Sequence, residues 1–119
     1  MTIEPELCKV EDALGILVGK WKPIILLHLM KHGTQRFSEL KRNVPGITQK
    51  MLTKQLRELE DEDIIERVVY PQVPPKVEYS ITEYGRSLDP ILAAMHEWGT
   101  NHTIHKQQKL MKKTTEQSS

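Results

Sequence analysis

The chain has 119 residues, with 17 Lys and Arg against 16 Asp and Glu and a formal net charge of +1. That length holds one modest core and excludes a two-domain enzyme, while 38% hydrophobic and 28% charged residues exclude a disordered chain. No apolar run reaches the roughly 18 residues of a membrane span, "MTIEPELCKV" has no basic stretch leading into an apolar one, and the single Cys8 forms no internal disulfide, so the expected setting is cytoplasmic, without a membrane partner.

In chain order, Val10, Leu14, Leu17 and Val18 recur at helical spacing up to Gly19, which predicts a first helix over 10–18. Pro23 opens a second helix, "IILLHLMKH", apolar nearly all round and therefore central to the core. A brief third helix, "SELKRNV", takes Ser38 as its cap and is closed by Pro45 and Gly46. Thr48 caps a fourth helix over about 48–62, in which Leu52, Leu56 and Leu59 form a buried stripe flanked by Met51 and Gln55. A turn of about 100° per residue then sends Gln49, Lys50, Thr53, Lys54 and Arg57 to the opposite face.

"IIERVVY" and "KVEYSI" predict two antiparallel strands over about 64–81, the second alternating Val77, Tyr79 and Ile81 against Lys76, Glu78 and Ser80. Pro71, Pro74 and Pro75 stiffen the tip between them. A last helix over about 82–102 carries the stripe Tyr84, Leu88, Ile91, Met95 and Trp98, with a kink or restart at Pro90 capped by Asp89. Residues 106–119 read as a flexible, basic, frayed tail. The fold class is therefore mainly α with a small antiparallel hairpin: one winged helix-turn-helix domain over 1–105 with a long C-terminal dimerisation helix.

Charge is segregated along the chain. Residues 36–57 hold Arg36, Lys41, Arg42, Lys50, Lys54 and Arg57 against Glu39 alone, and residues 58–66 reverse this with six acids. One cationic face on a near-neutral protein suits a polyanion, and a helix is about the width of the DNA major groove. Gln49 and Lys50 are the candidates for base contact, since an amide pairs with adenine and a lysine reaches guanine acceptors. Lys54 and Arg57 lie further along and suit phosphate, with Lys76 as the cation of the wing.

On these residues the chain resembles the HxlR family of bacterial winged-helix transcriptional regulators over about residues 10–100. The matching blocks are Gly19-Lys20-Trp21, Arg36-Phe37-Ser38-Glu39-Leu40, Pro45-Gly46-Ile47 followed by Gln49-Lys50-Met51-Leu52, and Pro74-Pro75 with Val77-Glu78-Tyr79. The resemblance implies a homodimer joined through the first and last helices, bound to an operator of double-stranded DNA to repress or activate a nearby gene. It also implies a cysteine near the start of the chain that in some members senses quinones, aldehydes or oxidants. Two positions depart from the family's pattern. Asp63 stands where members commonly have glycine, so the recognition helix must end on a left-handed Asp, and Cys8 is followed by Lys9 where proline is frequent.

The expected DNA-binding set is Arg36, Thr48, Gln49, Lys50, Thr53, Lys54, Arg57 and Lys76, and the expected dimer surface is Leu7, Leu14, Leu88, Ile91, Leu92, Met95 and Trp98. Cys8 reads either as an electrophile or redox sensor or as a small buried apolar group, with Lys9 favouring the thiolate and Glu6 and Glu11 opposing it. His28 and His32, and His102 and His105, have helical spacing but no third ligand, and no catalytic or cofactor motif is present, so neither a metal, a cofactor nor enzyme activity is expected. The rival reading is a winged-helix protein-interaction module whose helical face meets an acidic partner.

Overall fold

The computed structural model describes residues 5–17 and 19–118, and the side chains of 5–8 and 115–118 are outside that description. Leu7 and Cys8 therefore have no described side chain, and Val18 is outside altogether. The elements are α1 (Pro5–Leu17), α2 (Trp21–His32), β1 (Gln35–Arg36), α3 (Phe37–Asn43), α4 (Gln49–Asp61), β2 (Ile65–Tyr70), β3 (Lys76–Ile81), a 3-10 turn (Gly85–Leu88) and α5 (Asp89–Ser118). Residues 1–87 and 88–119 form two compact units. Among the described residues no single helix is long and apolar enough to cross a membrane.

The core of the first unit is built around α2, whose Ile25, Leu26 and Leu29 are buried as its all-apolar sequence demands. Leu40 of α3, Val44, Ile47, and Leu52, Leu56 and Leu59 of α4 close over it, with Ile64, Ile65, Tyr79 and Ile81 from the sheet side. Fully burying each such side chain stabilises the fold by about 1.5–3 kcal/mol. α2 starts at Trp21, two residues before Pro23, which still lies in the first turn, where backbone N–H groups have no helical partner to lose.

The third helix differs from the expectation at its start. Arg36, not Ser38, is the N-cap, and its N–H donates to Glu39 Oε1 at 2.9 Å. The extended Arg36 backbone is held in strand β1, and this tertiary pairing moves the helix start upstream of the serine. β1 itself escaped the sequence reading because two residues carry no periodicity. The sheet has the order β1-β3-β2, antiparallel throughout, with Gln35 opposite Tyr79, Arg36 opposite Glu78, Ile65 opposite Ile81 and Tyr70 opposite Lys76.

The 3-10 turn and helix α5 also correct the reading of 82–102. The chain makes a 3-10 turn at Gly85–Leu88 and restarts at Asp89, so the exposed Tyr84 is not part of the helical stripe. Pro90, as the second residue of α5, takes the place where a missing N–H costs nothing. The helix then continues through 106–118 instead of fraying at 106, since "KQQKLMKK" is rich in helix formers and free of Gly and Pro.

Candidate nucleic-acid interface

Thr48 sets the start of α4. Its backbone is extended, and Met51 N–H donates to Thr48 Oγ1 at 3.1 Å, satisfying one of the first-turn donors. The helix end turns on Asp63 with φ 61, and the N–H groups of Asp63 and Ile64 return to the carbonyls of Glu60 and Leu59 at 3.0 Å each. The left-handed Asp does here what a C-terminal glycine ordinarily does.

With Leu52, Leu56 and Leu59 inward, Gln49, Lys50, Lys54 and Arg57 are exposed and Thr53 is half-buried, and all five line one open groove along α4. Thr53 Oγ1 donates back to the Gln49 carbonyl at 2.9 Å, so the hydroxyl is already engaged. No ion pair within 4.0 Å involves Lys50, Lys54 or Arg57 among the described residues. The acids that follow them are tied elsewhere. Glu58 accepts from Lys22 Nζ of α2 at 2.8 Å, and Glu60 lies 3.6 Å from Arg67 of β2. The hydrogen bond from Lys22 is the main reason the Glu58 carboxyl lies below its ordinary range.

Arg67 was not among the expected residues. It faces Tyr79 across the sheet and, with Thr53, Arg57 and Glu60, lines a cleft of about 190 Å³ between α4 and β2. The signal was available: Arg67 stands two residues after the buried Ile65 and so shares its face, the α4 side of the strand. Burial pushes the Tyr79 hydroxyl above its ordinary range.

The hairpin is anchored at its base and free at its tip. Thr82 N–H donates to the Ile64 carbonyl at 3.0 Å, its hydroxyl donates to the Asp63 carbonyl at 2.6 Å, and the same oxygen accepts from Gly85 N–H at 2.9 Å. This corner clamps the end of β3 to the α4–β2 junction. Moving outward, exposure rises from 2% at Ile65 to 49% at Val69 and 99% at Val73. The hairpin therefore projects as a wing, and Val73 packs against nothing among the described residues.

Lys76, the expected cation of that wing, stands where β3 leaves the tip loop, opposite Tyr70, and its charge is already engaged. Its Nζ lies 3.4 Å from Glu78 Oε2 and 4.9 Å from the centroid of the Tyr70 ring. Arg36 is exposed at the start of α3, and with Lys76 it lines a cleft of about 340 Å³ against the wing loop.

The remaining candidates lie outside this interface. Leu14 of α1 is exposed. On α5, described by itself, Ile91, Met95 and Trp98 are exposed on one face, Leu88 just before it is half-buried, and Leu92 is closed off from solvent in the single chain. His28 and His32 stack at 5.8 Å and His102 and His105 at 6.2 Å, and among the described residues no three His, Cys, Asp or Glu side chains gather as a metal site would require. The His28 imidazole is shifted below its ordinary value, first by burial and then by His32 and Lys31.

Comparison with known proteins locates this arrangement. The HxlR-like helix-turn-helix family model matches residues 16–107. The chain is 61% identical over 93 residues, 78% of its length and 73% of the relative's, to an uncharacterised HTH-type transcriptional regulator, YtcD of Bacillus subtilis. An uncharacterised HTH-type transcriptional regulator of Methanothermobacter thermautotrophicus is 52% identical over 101 residues, 85% of this chain and 76% of its own. Among solved structures, the redox regulator HypR in its reduced form superposes with a TM-score of 0.76 at 54% identity, covering 80% of this chain and 93% of that one.

Proposed function

The chain belongs to the HxlR-like helix-turn-helix family of DNA-binding transcriptional regulators and is no enzyme, and on that premise we propose that it represses or activates a nearby gene by gripping a pseudo-palindromic operator as a homodimer. The observation that carries this reading is the exposed face of α4, on which Gln49, Lys50, Lys54 and Arg57 share one groove with no ion-pair partner among the described residues. In the major groove Gln49 and Lys50 read base edges, while Lys54, Arg57 and Arg36 meet phosphate, and Thr48 and Thr53 hold the start of the helix in shape. Lys76 adds a cation beside the tip loop of the wing.

The homodimer rests on α5. Ile91, Met95 and Trp98 recur at helical spacing, each at least 45% exposed, a stripe that a second copy of the chain would cover. Leu7, Leu14 and Leu88 complete the proposed dimer surface, whereas Leu92, expected there too, is closed off from solvent in the single chain. Two-fold symmetry sets half-sites about 34 Å apart, or a multiple of that. Cys8 is the proposed responder to an electrophile or oxidant, supported by the likeness to the redox regulator HypR, whose oxidised form is also 55% identical.

The test is retardation of duplexes selected from a random pool at physiological salt, before and after treatment with diamide, using the native chain and Cys8→Ser. Binding that oxidation alters only when Cys8 is present is the expected result. Lys54→Ala should weaken all duplexes alike and flatten the salt dependence by about one counterion. A loss confined to one sequence would move Lys54 to base reading. A sedimentation mass of one chain at micromolar concentration would remove the homodimer.

A further inference from the structure

The outer face of the wing sheet places an anion among its cations. Lys76 and Glu78 are two residues apart in β3 and so share a face, and the antiparallel register sets Tyr70 opposite Lys76 and Arg36 opposite Glu78. Lys76 Nζ is 3.4 Å from Glu78 Oε2, and both side chains are partly shielded, at 27% and 22% exposure. Hydrogen bonding with the Tyr70 hydroxyl, reinforced by the charges of Lys76 and Arg36 and opposed by partial desolvation, holds the Glu78 carboxyl below its ordinary range. It is therefore ionised at neutral pH. The same two cations, Arg36 and Lys76, line the cleft between α3 and the wing loop together with Ser38 and Gln72. That cleft has the polar groups to hold a phosphate, yet the carboxylate beside it cancels one of its two charges.

We propose that Glu78 is a specificity-determining residue of the interface, an internal competitor for phosphate that keeps the wing cations from gripping duplexes of arbitrary sequence. The inference deepens the DNA-binding reading above and rests on it. Binding to arbitrary sequence comes almost wholly from cations releasing counterions from the DNA. A lysine already paired with a neighbouring carboxylate enters that exchange only if the pair opens. On a matched site the base contacts of α4 fix the register and bring one phosphate to a defined place in the cleft, where it displaces Glu78 from Lys76. On arbitrary sequence no phosphate is held there, and the intramolecular pair persists because its partners are already side by side. Glu78 thus weakens the unspecific complex more than the specific one.

The experiment compares a duplex selected from a random pool with its scrambled counterpart, using the full chain, Glu78→Gln, Glu78→Thr and, as a control for net charge, Glu62→Gln at the exposed end of α4. Gln keeps the shape of the side chain and Thr suits a strand, so a folding failure of one still leaves the other. The Glu78 variants should bind the scrambled duplex more tightly, with a salt dependence steeper by about one counterion. That amounts to a roughly threefold larger loss of affinity between about 50 and 200 mM salt. Affinity for the selected duplex should change less, so the ratio of the two falls. In a Lys76→Met background the gain from Glu78→Gln should shrink. Unchanged or weaker scrambled binding in both folded Glu78 variants overturns the proposal, as does an equal gain from Glu62→Gln. Native chain that binds neither duplex sinks the DNA reading itself, whereas native chain that discriminates with Glu78 variants that discriminate equally well sinks this inference alone.

Discussion

On α4 the cations Lys50, Lys54 and Arg57 stand without an ion pair among the described residues, whereas on the wing Lys76 is paired with Glu78 at 3.4 Å and lies over Tyr70. Both regions carry acids close by in sequence, so composition does not explain the difference. In α4 the acids Glu58 and Glu60 are drawn into ties with Lys22 of α2 and Arg67 of β2, which anchor the helix and leave its basic face unneutralised. In β3 the period of two puts Glu78 on the same face as Lys76, and the carboxylate stays on that face within 3.4 Å of the lysine. An acid near a basic surface therefore either fastens the scaffold or tempers the surface, depending on which side of its own element it leaves from.

The comparison is broken most completely at the corner that both regions share. A Cβ on Gly85 would run into the backbone carbonyl of Ile64, which cannot move without pulling the α4–β2 junction. Gly85→Ala should cost about 3 kcal/mol or more in urea unfolding and disturb helix and wing together. Gln49→Ala should leave stability intact and remove about 1–3 kcal/mol of discrimination at a single base pair, seen with singly substituted duplexes. That loss would assign base reading to the helix and leave none of it to the wing.

A smaller effect is expected at the tie that frees the basic face. The Glu58 carboxyl is held below its ordinary value of 4.5 by Lys22, so the pair contributes stability above the unfolded value and loses it as pH falls through the folded one. Lys22→Met should flatten the loss of stability between about pH 6 and pH 3. Glu58 is 40% exposed, and solvent screening keeps the contribution below about 1 kcal/mol. Smallest of all, Val73→Ser at the wing tip should change stability by less than about 0.5 kcal/mol, because the side chain is almost wholly exposed. Any larger shift in thermal midpoint would show the tip to be packed.

Much of the fold was legible because its signals are local. The Leu52, Leu56 and Leu59 stripe, the Thr48 cap and the hairpin alternation each repeat within one or two turns or strand steps, and each has its expected place. The misses share a different cause. Ser38 lost the cap of α3 to Arg36 because β1 holds Arg36 extended through pairing with β3, some forty residues away in sequence. Tyr84 left the final stripe because Thr82 bonds to the α4–β2 junction and accepts from Gly85 N–H, which turns the chain before α5 starts.

The candidate site divides along the same line. Sequence alone determined which residues share the outer face of α4, since a fixed rotation per residue and a buried leucine stripe leave only one side for Gln49, Lys50, Lys54 and Arg57. Only the tertiary structure decided which charges on that surface are free. Whether an acid neutralises a cation depends on approach within a few ångströms, and Lys22 with Glu58, Glu60 with Arg67, and Arg36 opposite Glu78 are brought together by helix packing and strand register, not by spacing along the chain.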